Sequence, residues 1–187
     1  MSEAQLVMPS LARLPAYAAA LVRGWSPDNI RPEEIRREQL AAITADATDF
    51  LARLDDRAAR DTPVRLPDGS EIPRLPGIRR WIWKAGFCGS IGFRWQPGTA
   101  ALPPHVLGHI GYAVVPWKQG RGHAKRALAL MLPEARAVGL PYVELTTSPD
   151  NLASQRVILA CGGVLVERFR KPTAYGGGEA LRFRIAL

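Results

Sequence analysis

The stretch VVPWKQGRGHAKRAL, Val114 to Leu128, runs an apolar strand into two closely spaced glycines, Gly120 and Gly122, and then into a helix. Its first turn is crowded with Arg121, His123, Lys125 and Arg126. Free backbone N–H groups and the positive end of a helix converge at such a junction, which suits an anion. Glycines there weaken a helix start unless something needs the close approach they allow. Two nucleotide loops share this grammar, and neither fits. A Walker loop needs four residues between its glycines and a Ser or Thr after its lysine. The dinucleotide fingerprint needs a small residue where Lys125 stands.

Working outward, VLGHIGYAVV before the loop is apolar on both faces, which predicts a central strand. After the helix comes a strand, PYVELTT, and then a second helix, SPDNLASQRVILACGG. Ser148 or Asp150 is its expected N-cap, and the glycine pair ends it. VLVERF and ALRFRIAL close the chain as an antiparallel pair turned by AYGGGEA. In the last strand Leu181, Phe183, Ile185 and Leu187 alternate with Arg182 and Arg184. Upstream, IRRWIWKAGFCGSIGFRW reads as two strands with a turn near Ala85-Gly86.

Residues 1–60 read as two helices. The first repeats apolar residues from Leu11 to Trp25. The second opens at Pro32-Glu33-Glu34 and carries a stripe from Leu40 to Leu54, running to about Arg60. Between them and the strands, 61–77 is rich in proline and glycine and reads as an exposed loop beside the substrate. The expected order is two helices, three strands, helix, strand, helix and two strands. That is a single α/β domain over 1–187 with a mixed sheet, its core over 79–187.

The bulk numbers exclude several classes. With 47% hydrophobic and 22% charged residues the chain has ordinary globular usage. The net charge of +8 is spread along the chain without a run of five or six, so a nucleic-acid tail is not indicated. Two cysteines, Cys88 and Cys161, are too few for a disulfide framework and read as free thiols. No apolar run is long enough for a membrane span. Apolar residues continue at helical spacing past the A-x-A at Ala18 and Ala20, so a cytoplasmic protein with no membrane partner is expected.

The loop fills the pattern V-x-x-x-x-[QR]-x-x-G-x-[GA] with Val114, Gln119, Gly122 and Ala124, Gly120 being an extra glycine. In the second helix Asn151 is followed by Ser154 and Gly162, filling N-x-x-[AS]…G. Over roughly Arg79 to Phe169 the chain therefore resembles the GNAT superfamily of acyl-coenzyme A-dependent N-acetyltransferases. The wording around the loop is nearest a bacterial subgroup described as predicted acetyltransferases. The resemblance implies a mixed, mostly antiparallel sheet with a splayed parallel pair, flanked by helices, and acetyl-CoA as co-substrate with no metal. It also implies that Val114 offers its backbone N–H to the thioester oxygen. Gln119, Gly120, Arg121, Gly122, His123 and Ala124 would cradle the pyrophosphate, and Asn151 would bond the pantetheine arm or a water beside it.

The catalytic groups are less legible. Many relatives place a proton-donating tyrosine seven residues after the asparagine, and here that position is Ile158. Tyr112 is the only polar side chain on its face of the strand before the loop, so it is the first candidate for handling a proton. His109 should face the opposite way by strand alternation. Glu144 on the neighbouring strand is a candidate water-relayed base. Trp25, Trp81, Trp83 and Trp95 are candidate walls of an acceptor pocket. The expected acceptor is a small-molecule or peptide amine, with a homodimer allowed. A non-catalytic acyl-CoA-binding or sensing module is the alternative that Ile158 keeps open.

Overall fold

The structure, a computed structural model, describes residues 3–60, 63–65 and 71–187. Its elements run β1 (Gln5–Val7), α1 (Leu14–Val22), α2 (Pro32–Ala45), α3 (Ala47–Ala52), β2 (Asp55–Asp56), β3 (Val64–Arg65), β4 (Glu71–Ile72) and β5 (Gly77–Trp83). Then come β6 (Phe87–Arg94), β7 (Ile110–Val114), α4 (His123–Ala137), β8 (Tyr142–Thr147), α5 (Leu152–Ala160), β9 (Val164–Arg170) and β10 (Glu179–Ala186).

The strands form two main sheets. One has the order β1-β5-β6-β7 with β2 beside β5, and the other has the order β8-β10-β9. All pairings are antiparallel. Ala85 and Gly86, at φ 47° and 114°, make the tight turn between β5 and β6. β7 ends its sheet rather than standing inside one. Its apolar character on both faces is explained by α4 on one side and the N-terminal helices on the other.

Strand alternation sorts two cores onto the two faces of this layer. Ile78, Ile82, Ile91 and Phe93 join Leu128 and Met131 of α4, Ile158 of α5, and Val143, Leu145 and Phe183 of the second sheet. Trp81 and Phe87 face the other way, among Tyr17, Leu21 and Phe50. Tyr17 stacks on Trp81 with ring centroids 4.8 Å apart. Burying aromatics of this size contributes about 2–3 kcal/mol each, which explains why the helical pair docks here.

Several sequence expectations shift. β1 went unread because three residues, paired with Trp81–Trp83, are too few to show a period. The second helix stops at Ala45, where the Asp46 carboxylate accepts the N–H groups of Thr48 and Asp49 and caps a separate short helix. From there the chain enters β2 instead of staying helical to Arg60. The described parts of the 61–77 segment include a small β3–β4 hairpin, while 61, 62 and 66–70 lie outside the described residues. The cap of α5 is Asn151, whose Oδ1 accepts from Ser154 N at 3.1 Å, not Ser148 or Asp150.

Candidate active site

β7 and β8 are parallel neighbours in space but belong to different sheets. They touch at one end. His109 N–H donates to the Glu144 carbonyl at 2.7 Å, and Glu144 N–H donates to His109 Nδ1 at 2.9 Å. Gly108 lies so near that an added Cβ would stand 3.0 Å from the Glu144 carbonyl oxygen. Beyond this closed end no ladder hydrogen bond joins the two strands, and α4 and α5 follow their C-terminal ends. The result is a seam with a helix start at its open mouth.

Val114 stands at that mouth. On the β6–β7 ladder Arg94 N–H bonds the His109 carbonyl and Val115 N–H bonds the Cys88 carbonyl, both at 2.9 Å. Hydrogen-bonded pairs alternate with non-bonded ones in an antiparallel ladder, so Val114, opposite Gly89, turns its N–H away from β6 and into the seam. Gly89 cannot be replaced easily: at φ 149° its added Cβ would meet the Ala113 carbonyl oxygen at 2.2 Å. The Val114 carbonyl accepts from Gln119 Nε2 at 3.2 Å, which ties the loop back to the strand.

Gly120 and Gly122 both sit in the left-handed region, at φ 72° and 76°, and nothing lies within 4 Å of where either Cβ would stand. Gly122 is the N-cap of α4. It offers no side-chain acceptor, and no acid occupies the first turn. The N–H groups of His123, Ala124 and Lys125 thus lead the helix with their dipole uncompensated. The side chains around them differ from the sequence expectation. Burial, then Lys84, Lys118 and Arg121, push the His123 pKa down, so His123 carries no charge at neutral pH. Arg126 is paired with Glu3 at 3.0 Å. Lys118 directly precedes the loop in sequence, and Lys84 comes to it from the turn between β5 and β6, a convergence that separation in sequence concealed.

Tyr112 reaches across the seam, with its hydroxyl 2.9 Å from Ser154 Oγ in the first turn of α5. Burial pushes its pKa up to about 12, so it keeps its proton at neutral pH. Ile158, one turn further along α5, is packed into the core. His109 and Glu144 lie at the closed end. Burial takes the His109 pKa down to about 4 despite Glu144, and its Nδ1 serves as a backbone acceptor. Glu144 Oε1 accepts from Arg184 at 2.7 Å. Trp25, Trp81 and Trp95 are buried in the two cores, while Trp83 is half-exposed with Arg13 over its ring. Cys88 and Cys161 are free thiols. Among the described residues no cluster could hold a metal, and no helix is long and apolar enough to cross a membrane.

Comparison with known proteins agrees with this geometry. The family model of the acetyltransferase (GNAT) domain matches residues 44–164, nearly two thirds of the chain. No curated protein matches in sequence. Among solved structures, the microcin C7 self-immunity acetyltransferase MccE, in complex with acetyl-CoA and AMP, is 14% identical with a TM-score of 0.65. That match covers 100% of this chain and 94% of that one. Mycobacterium smegmatis RimJ, in complex with CoA-disulfide, is 19% identical with a TM-score of 0.66, covering 98% and 81%. The ribosomal L7/L12 α-N-protein acetyltransferase RimL, in complex with coenzyme A, is 14% identical with a TM-score of 0.64, covering 100% and 96%. At these identities the shared property is the fold.

Proposed function

The chain belongs to the GNAT acetyltransferase family, and from that premise we propose that it transfers an acetyl group from acetyl-CoA directly to an amine, with both substrates bound together. The observation that carries this reading is the open seam, with the Val114 N–H facing into it and the uncapped start of α4 at its mouth. The pyrophosphate of coenzyme A sits on the N–H groups from Gln119 to Ala124, with Lys84, Lys118 and Arg121 supplying positive field. The pantetheine arm lies between β7 and β8 like an added strand. Asn151 holds it through the amide nitrogen that the helix cap leaves free.

The amine attacks as the free base. Its nitrogen bonds the thioester carbon, the carbonyl oxygen takes negative charge, and the Val114 N–H stabilises that charge. As the intermediate collapses the C–S bond breaks, the nitrogen loses its extra proton to water, and the thiolate is released. Tyr112, oriented by Ser154, is the candidate proton donor to that thiolate, and water returns its proton. Glu144, which accepts a hydrogen bond from Arg184, would take the amine's proton through a relayed water. His109, neutral and enclosed, holds the closed end of the seam.

Ile158 favours the second reading, a non-catalytic acyl-CoA sensor, because a core isoleucine cannot donate a proton. Release of free thiol from acetyl-CoA in a screen of amines decides between them. Amine-dependent release is the expected result, and tight binding of acetyl-CoA with no release under any amine would favour the sensor.

A further inference from the structure

The face of the first sheet opposite α4 and α5 carries an unusual row. Register places Arg79, Gly92 and Gly111 side by side across β5, β6 and β7. Two adjacent glycines leave a floor without side chains. Nothing lies within 4 Å of a Cβ built on Gly111, and over Gly92 the nearest side-chain atom is Arg79 Nη2 at 3.8 Å. Arg94 is on the same face, one step along β6. It is solvent-exposed, yet its surroundings desolvate it, and with Arg79 nearby its pKa is lowered. Tyr175 and Asp28, from the β9–β10 and α1–α2 connections, are the other groups that act on it electrostatically. Tyr175 also bonds the His105 carbonyl, which fixes that rim.

These two arginines differ from three others on the sheets. Arg80 pairs with Asp55 at 2.9 Å, Arg182 with Glu167 at 2.8 Å and Arg184 with Glu144 at 2.7 Å. Among the described residues Arg79 and Arg94 have no carboxylate partner. Asp28 acts on Arg94 electrostatically but makes no hydrogen bond or ion pair with it, its Oδ1 accepting the N–H groups of Ile30 and Arg31 at 2.7 Å. Two like charges left together beside an empty floor are costly unless an anion joins them. Guanidinium forks match carboxylate and phosphate oxygens.

We propose that Arg79 and Arg94 form the anion-binding half of the acceptor site, so that the acceptor is a small primary amine bearing a carboxylate or a phosphate. This rests on the acetyl-transfer reading. Gly111 lies three residues from Val114, about 10 Å along the strand, so amine and anion are separated by a short chain of bonds.

The test titrates matched amines into the protein with and without coenzyme A, and measures thiol release with acetyl-CoA. The carboxylates are γ-aminobutyrate and ε-aminocaproate, the phosphate is phosphoethanolamine, and hexylamine and cadaverine are neutral and cationic controls. At least one anionic amine should bind or react at least tenfold better than the controls. Arg79→Gln and Arg94→Gln should each cut that preference about tenfold at unchanged acetyl-CoA affinity, and Arg→Lys should restore part of it. Gly111→Leu, whose Cβ has no atom within 4 Å, should exclude anionic amines with both arginines kept in the sequence. No anion preference, or one that survives both Gln variants, overturns the proposal. Which anionic arm wins identifies the source of the anion. Loss of acetyl-CoA binding in the wild type would instead sink the acetyl-transfer reading and leave the anion preference to be judged from the titrations without coenzyme A.

Discussion

The two sides of the seam are built from different materials. The donor side, from Val114 through the loop to α4, is almost entirely backbone: a ladder N–H left unpaired, two glycines at positive φ and a helix start without a cap. The acceptor side is a floor of two glycines with side chains arching over it from separate strands. A backbone site recognises what all its ligands share, and a side-chain site can be rebuilt for a new ligand without disturbing the first. Substitutions should therefore separate cofactor binding from acceptor choice.

The largest effect is expected where the two sides meet. Gly89→Ala drives a Cβ into the Ala113 carbonyl at a backbone angle that only glycine tolerates. It should destabilise the fold by about 3 kcal/mol or more, measured by denaturant unfolding. Gly111→Ala, in open space on the same layer, should change stability by under about 0.5 kcal/mol. Equal effects at both glycines would break the distinction between a packed donor wall and an open acceptor floor.

Gly122→Trp comes next. The new side chain fills the loop and forces an unfavourable left-handed residue, at about 1–2 kcal/mol of stability. Acetyl-CoA affinity should fall at least about a hundredfold by calorimetry. Asn151→Ala removes the α5 cap, which costs about 1 kcal/mol, and should also weaken acetyl-CoA binding severalfold. Retained affinity there would limit Asn151 to its cap.

A further effect concerns pH. His109 is depressed from its ordinary value to about 4, so the unfolded chain binds a proton between pH 6.5 and 4 that the folded chain refuses. Its contribution to stability is complete above pH 6.5 and is lost as pH falls through that window. His109→Asn should flatten this acid limb of the unfolding curve while leaving the limb above pH 7 in place. An unchanged slope would show that other groups carry it.

The difference between the sides also decides what could be read from the sequence. Gly120, Gly122 and Gln119 are contiguous, and their spacing alone separates this loop from the nucleotide loops. The strand order after Arg79 was legible for a similar reason, since alternation and turn residues are local signals. The Asp46 cap was missed because the apolar stripe continues across it from Leu40 to Phe50. The row Arg79–Gly92–Gly111 depends on the register of three strands, which no single stretch encodes. Lys84 reaches the loop through folding alone, and the charge expected of His123 disappears because burial is a tertiary property.

The central claim is that the seam receives acetyl-CoA. Titration calorimetry of the wild-type protein with acetyl-CoA tests it most directly. A single site in the micromolar range or tighter is the predicted result, and no detectable heat at those concentrations would contradict it.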